Sequence, residues 1–364
     1  MTRTASAALT PLAEARALLL SLAAPLRPET ARIADALGCI CAVPVTAPGP
    51  HPSRPTTLRD GYAVEAASIG GASPYSPLRL PQAPDWVEAG EALPPGTDAV
   101  LPPEGLEGRD AVADLAPREG VRAPGEDFQA GDGLIRPGER IGPLHLLALA
   151  ACGVATVAVR RPRIALIVTG GPELDALSPV LAALVARQGG VAETVTVPDE
   201  PGALVDALRG SPADTILVIG GTGFGRTDHS AAGLAGAGRL LVHGIALRPG
   251  ETAGLGEAGG RPVLLLPGRP EAALAVYLAL GQPLVAALSG ATPSPAIRAT
   301  LARKVASGIG LSEIVYLRRV PGGVEPLGAV DLPLRRLCEA EAALLVPPDC
   351  EGYPEGKEVE VLDL

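Results

Sequence analysis

Four apolar, strand-like runs between Pro162 and Pro270 each end in a loop of glycine or proline. That repetition constrains the fold more than any other feature of the chain. Arg163-Ile-Ala-Leu-Ile-Val168 leads into Thr169-Gly-Gly-Pro-Glu-Leu174, and Thr215-Ile-Leu-Val-Ile219 leads into Gly220-Gly-Thr-Gly-Phe-Gly225. Ile245-Ala-Leu247 leads into Arg248-Pro-Gly250, and Val263-Leu-Leu-Leu266 leads into Pro267-Gly-Arg-Pro270. A buried parallel strand that ends in small residues exposes backbone N–H groups at its carboxyl end. The helix that follows adds its positive N-terminus, so such places suit phosphate or another anion. Several loops of this kind on one sheet converge on one crevice. The segment is expected to hold a small, phosphorylated ligand.

The strand–helix alternation runs from Arg163 to about Leu288 and implies a mostly parallel sheet with helices on both faces. Around it the chain reads as a mixed α/β, multidomain protein. Residues 10–40 are expected to form two helices, one on Leu12, Ala15, Leu18, Leu19 and Leu22 and a second from Glu29 to Leu37. Ala42 to Pro55 holds five prolines and reads as a crossover. Short strands and turns between Asp60 and Arg122, including Trp86 and Ala99-Val-Leu101, suit a small β-domain. Pro143 to Cys152 reads as a helix. In the α/β unit, Leu177, Val180, Leu181 and Leu184 mark one helix face, with further helices at Asp228–Ala237 and Glu271–Leu280. The expected units are 1–45 with 125–160 (a discontinuous helical unit), 46–124 (an inserted β-domain), 161–292 (a three-layer α/β domain) and 293–364 (a C-terminal β-domain).

Composition narrows the function. Phe, Trp and Tyr make up only 2% of the 364 residues, which argues against nucleobase stacking on aromatic platforms. A formal charge of −10 without a basic run argues against nucleic acid. The five cysteines are scattered, so reduced and mostly buried thiols are expected rather than disulfides. No apolar run reaches the ~20 residues needed to span a bilayer. A soluble, cytoplasmic protein is expected.

The order of motifs resembles the molybdopterin molybdenumtransferase family, which includes MoeA and the gephyrin E domain. Arg59-Asp-Gly-Tyr-Ala-Val64 resembles its MDGYAV, and Gly90-Glu-Ala-Leu-Pro-Pro-Gly-Thr-Asp-Ala-Val100 resembles TGAPLPPGADAVV. Gly125-Glu-Asp-Phe-Gln-Ala-Gly-Asp132 resembles GEDI…GD, and Gly220 to Asp228 resembles GGVSVG…D. Arg248-Pro-Gly250 resembles KPGKP, and Pro267-Gly-Arg-Pro270 resembles PGNP. The resemblance implies that 161–292 is a molybdopterin-binding domain. It also implies insertion of molybdenum, from molybdate, into adenylylated molybdopterin with a divalent metal such as Mg2+. It implies a homodimer with a shared site, and other molybdenum-cofactor proteins as partners.

The departures fall on charged positions. The two lysines of KPGKP are Arg248 and Glu251, and the Asn of PGNP is Arg269. The TGDEL motif has become Thr169-Gly-Gly-Pro-Glu-Leu174, and GR.E reads Gly310-Leu-Ser-Glu313. A second reading therefore stands beside the first: a paralogue that binds or delivers molybdopterin without inserting metal. Under either, ligand binding is expected to be retained and molybdate binding to be weak.

Individual residues keep two readings. Asp60 and Asp127 are turn aspartates or site residues. Asp228 is a helix N-cap, or a catalytic and metal-holding carboxylate. Glu173 is a first-turn helix carboxylate or a metal ligand. Gly220, Gly221, Thr222, Gly223 and Gly225 form a flexible turn or a phosphate cradle. Arg248, Pro249 and Gly250, with Pro267, Gly268, Arg269 and Pro270, are the expected anion-binding loops. His229 and His243 are expected to be structural or solvent-facing.

Overall fold

The computed structural model describes residues 9–170, 175–198, 200–225, 228–293 and 295–364. Strand Arg163–Thr169 sets the two faces of the central sheet. Ile164, Leu166 and Val168 point into one core, and Ala165 and Ile167 into the other. It pairs in parallel with Val191–Val197 on one side and Thr215–Ile219 on the other. Arg261–Leu266 is the fourth parallel strand, and Gly254–Ala258 and Arg239–His243 close the six-stranded sheet antiparallel. Helices Leu12–Ser21, Ser178–Arg187 and Pro270–Val276 contribute to the first core, and Pro201–Gly210 and Ser230–Ala237 to the second. This is the three-layer arrangement that the alternation implies. Each fully buried Leu, Ile or Val contributes roughly 1.5–3 kcal/mol relative to exposure.

Two local readings change. On helix Ser178–Arg187 the buried face is Leu181, Leu184 and Val185, while Val180 is 43% exposed. The helical segment from Pro270 runs 20 residues to Ser289, longer than the expected helix Glu271–Leu280. It is a core helix, with 78% of its apolar window buried. A π turn at Tyr277–Gly281 interrupts it just before Pro283, which has no N–H to donate to the preceding turn.

Glu29–Leu37 is not a helix. Glu29–Arg32 is a strand antiparallel to Thr156–Arg160, followed by a single 3-10 turn at Ile33–Asp35. Its hydrogen bonds come from a segment more than a hundred residues away, and no local pattern could announce that partner. The same strand Thr156–Arg160 also pairs with Ile40–Cys41. Val45–Thr46, inside the proline-rich crossover, pairs with Gly133–Ile135. This part of the molecule is thus built more from strands than from helices, with Pro143–Ala151 as its α-helix among the described residues. Residues 10–26 pack elsewhere, against the α/β unit. Thr10–Pro11 pairs with Ile245–Ala246, Leu12, Ala15 and Leu19 enter the first core, and Leu26 N donates to Leu288 O.

Between residues 56 and 122, short strands form small sheets, one of them Trp86–Val87, Gly61–Val64 and Ala99–Leu101. Tyr62 and Trp86 meet edge to face there at 5.2 Å. Strand Ile245–Arg248 leaves the central sheet and pairs in parallel with Ser312–Val320. It thereby joins a seven-stranded sheet completed by Gly323–Gly328, Ala342–Val346, Glu358–Asp363 and Ile297–Thr300. All five cysteines are free thiols; Cys39 and Cys41 are buried, and Cys338 is exposed.

Candidate functional site

The glycine loop begins where strand Thr215–Ile219 ends. Gly220 and Gly221 have φ values of +92° and +60°, which turn the chain sharply out of the sheet. A Cβ on Gly221 would lie 2.9 Å from Ser230 Oγ, so the close approach of the helix Ser230–Ala237 also demands glycine. Side chains hold the turn in place. Ser230 Oγ donates to Gly220 O at 2.7 Å, and Thr169 Oγ1 donates to Ile219 O at 3.2 Å. Buried Thr222 meets Thr252 through their hydroxyls at 3.2 Å. His243 Nε2 lies 2.9 Å from Thr222 O; a carbonyl only accepts, so Nε2 carries the proton.

Asp228 closes the loop rather than capping the helix. Its Oδ2 accepts from Gly225 N at 2.8 Å, and the helix Ser230–Ala237 has no side-chain cap. A Cβ on Gly223 would stand 2.5 Å from Asp228 Oδ2, so the loop and this carboxylate fit each other only with glycine there.

The loops enclose a cavity of about 280 Å³. Gly221, Thr222, Gly223 and Asp228 form one wall, and Gly250, Glu251 and Thr252 another. Pro267, Gly268, Arg269 and Ala272 complete it. Arg269 is the N-cap of the helix starting at Pro270, so the positive end of that helix borders the cavity. Gly220, Gly225, Arg248, Pro249 and Pro270 belong to the same loops without lining it. A larger cleft of about 630 Å³ runs beside the edge strand Val191–Val197, where Ile164, Ile167, Val191 and Val195 meet Glu29, Arg161, Arg163 and Glu193. None of the expected site residues lines it, whereas several line the smaller cavity, which makes that cavity the candidate site.

Both expected anion-binding arginines already have carboxylate partners. Arg269 lies 2.8 Å from Asp331 and 3.6 Å from buried Glu271. Arg248 lies 3.9 Å from Glu313, whose side chain is only 11% exposed. Glu251 folds back, its Oε2 accepting from Gly250 N at 3.0 Å. Under the Arg269 turn, the hydroxyl of fully buried Tyr316 donates to Glu271 O, and burial pushes this phenol well above its ordinary pKa. Thr252, Asp331 and the loop-anchoring role of His243 were not legible in the sequence. Their signal is three-dimensional, because each meets the loop from a different strand or turn.

Asp60 and Asp127 do not line the cavity. Asp60 Oδ1 accepts from Ala89 N at 2.8 Å, tying two turns of the inserted unit. Asp127 pairs with Arg122 at 3.2 Å and with His51 at 3.9 Å. Glu173 lies outside the described residues. Among the described residues no three His, Cys, Asp or Glu side chains form a metal-ligand group. The cavity does present two carboxylates, Asp228 and Glu251, opposite the N-terminus of the helix that starts at Pro270. That donor set suits Mg2+, which binds through one or two carboxylates plus substrate phosphates and keeps several waters.

Comparison with known proteins bears on the same regions. Residues 10–153 match the MoeA N-terminal region (domain I and II), and residues 166–287 match the probable molybdopterin binding domain. The chain is 30% identical over 389 residues to molybdopterin molybdenumtransferase 2 of Mycobacterium tuberculosis, covering 93% of this chain and 95% of that one. It is 27% identical over 306 residues to the molybdopterin molybdenumtransferase of Haemophilus influenzae, covering 75% and 76%. A solved structure of the molybdopterin biosynthesis MoeA protein from Pyrococcus horikoshii superposes with a TM-score of 0.76 at 24% identity, covering 98% of this chain and all (100%) of that one. The fold, the order of the loops and these likenesses along nearly the whole length agree, and the chain belongs to the molybdopterin molybdenumtransferase (MoeA) family.

Proposed function

We propose that this protein acts in molybdenum cofactor biosynthesis, inserting molybdenum into adenylylated molybdopterin. The observation that carries the reading is the cavity at the carboxyl ends of the parallel strands, walled by a glycine loop and a helix N-terminus. These features suit the phosphates of the ligand. That the relatives are named transferases supports transfer rather than delivery alone. Opening the adenylate anhydride places an attacking oxygen on phosphorus and releases AMP. Asp228, which borders the cavity, is the carboxylate suited to orient that nucleophile and accept its proton. A divalent metal such as Mg2+ would supply charge neutralisation for the phosphates; Asp228 and Glu251 would hold it, with Glu173 a further candidate. Conversion of adenylylated molybdopterin and molybdate to molybdenum cofactor by the purified protein tests the reading directly. Binding of the nucleotide without turnover would favour the delivery role instead.

The oxyanion side carries its own expectation. Carboxylates at positions 271, 313 and 331 engage the two arginines, so molybdate is expected to bind weakly. Asp331 is 82% exposed, so it can be neutralised with little cost to the fold. Asp331→Asn is expected to raise molybdate affinity severalfold, since removing one unfavourable charge near an oxyanion is worth on the order of 1 kcal/mol after screening. Calorimetric titration with molybdate reads this, and unchanged affinity would remove Asp331 from the account.

A homodimer completes the proposal. Asp60 and Asp127 lie apart from the cavity within one chain, so a catalytic role for either requires a second subunit. Leu144 and Leu147, 78% and 66% exposed on the helix Pro143–Ala151, support an interface on that part of the molecule. Sedimentation equilibrium is expected to return twice the chain mass at micromolar concentration. A monomer there would confine the site to the cavity described.

A further inference from the structure

The chain has two phenylalanines, and one of them, Phe224, stands 69% exposed in the glycine loop. It takes the place of the second valine in the family pattern GGVSVG. Exposing so large an apolar ring is unfavourable, and a glycine-rich turn does not require it. The ring is not loose. Its centroid lies 4.8 Å from that of His243, with the planes tilted by 42°. His243 is fixed in turn by its bond to Thr222 O, and Thr222 lines the cavity. An aromatic ring that is braced on one side and wet on the other is the arrangement on which flat heterocycles stack.

We propose that Phe224 is the stacking platform for a planar heteroaromatic ring attached to the phosphate held in the adjoining cavity. In the substrate named above, that ring is either the adenine or the pterin. The scarcity of aromatic residues argues against a row of such platforms, and a single braced ring at the phosphate loop needs no row. The inference rests on the reading of the loop as a phosphate cradle, and the test separates the two.

The full-length protein and its Phe224→Ala and Phe224→Tyr variants are titrated calorimetrically with ribose 5-phosphate, AMP and 6-hydroxymethylpterin phosphate. In the unmodified protein, one of the two ring-bearing ligands should bind about tenfold tighter than ribose 5-phosphate, and which one identifies the stacked ring. Phe224→Ala should abolish that advantage, Phe224→Tyr should keep it, and ribose 5-phosphate affinity should be the same in all three. Ring-bearing ligands that bind the Ala variant within about twofold of the unmodified protein would overturn the proposal. So would a parallel loss of ribose 5-phosphate, which would mean a distorted loop. If only ring-bearing ligands bind and they respond to Phe224, the platform stands and the cradle reading fails. If none of the three binds, both fail.

Discussion

Asp228→Ala is expected to lower molybdenum insertion by about a hundredfold or more, the usual cost of losing a positioned proton acceptor. The same change removes the acceptor for Gly225 N, so loop closure and chemistry would be lost together. Asp228→Asn separates them. The amide oxygen can still accept from Gly225 N, so the loop keeps its shape, but the negative charge is gone. Turnover should fall in both variants, whereas AMP affinity should weaken clearly only in the Ala variant. A turnover rate near that of the unmodified protein in Asp228→Asn would reduce Asp228 to a loop fastener.

The largest stability effect is expected at Tyr277, inside the π turn. The side chain is fully buried, and its hydroxyl donates to Gln188 Oε1 at 2.7 Å. Burial pushes the phenol well above its ordinary pKa, so it remains a donor throughout the pH range in which proteins are normally handled. Tyr277→Ala removes an aromatic ring from the first core and strands the Gln188 amide, at a cost of about 3–5 kcal/mol. Tyr277→Phe keeps the packing and loses the hydrogen bond, at a cost of about 1 kcal/mol. Urea denaturation followed by circular dichroism gives both values. Equal costs for the two variants would place the stabilisation in the hydrogen bond rather than in the packing.

The sequence was legible where physical cause is local. The apolar runs at Arg163, Thr215 and Val263 announced parallel strands, because a strand buried on both faces leaves no polar alternation. Gly220 and Gly221 announced a turn that needs positive φ. The loops that the motifs mark after Thr215–Ile219, Ile245–Arg248 and Arg261–Leu266 border one cavity. What stayed hidden depends on distant partners. Glu29–Arg32 looks helical until Thr156–Arg160 lies beside it. Asp331 carries no motif, yet it meets Arg269 across 62 positions of chain. Arg248 and Arg269 were readable as cations at an anion site, but the carboxylates that engage them come from other turns of the fold.

The strand Ile245–Arg248 has a mechanical consequence. It is flanked by Thr10–Pro11 on one edge and Ser312–Val320 on the other. Three stretches of chain far apart in sequence are therefore splinted together through main-chain hydrogen bonds, directly before the turn Arg248-Pro249-Gly250. Bending between the α/β layers and the C-terminal sheet would have to shear that ladder, so the two should move as one body. The crossovers toward the inserted unit, around residues 45–56 and 122–135, are joined by short strand pairings and by scattered main-chain bonds such as those between His51 and Phe128. Any opening and closing of the molecule around a ligand is thus expected in the joint that carries Asp127, while the loops that line the cavity stay with the splinted body.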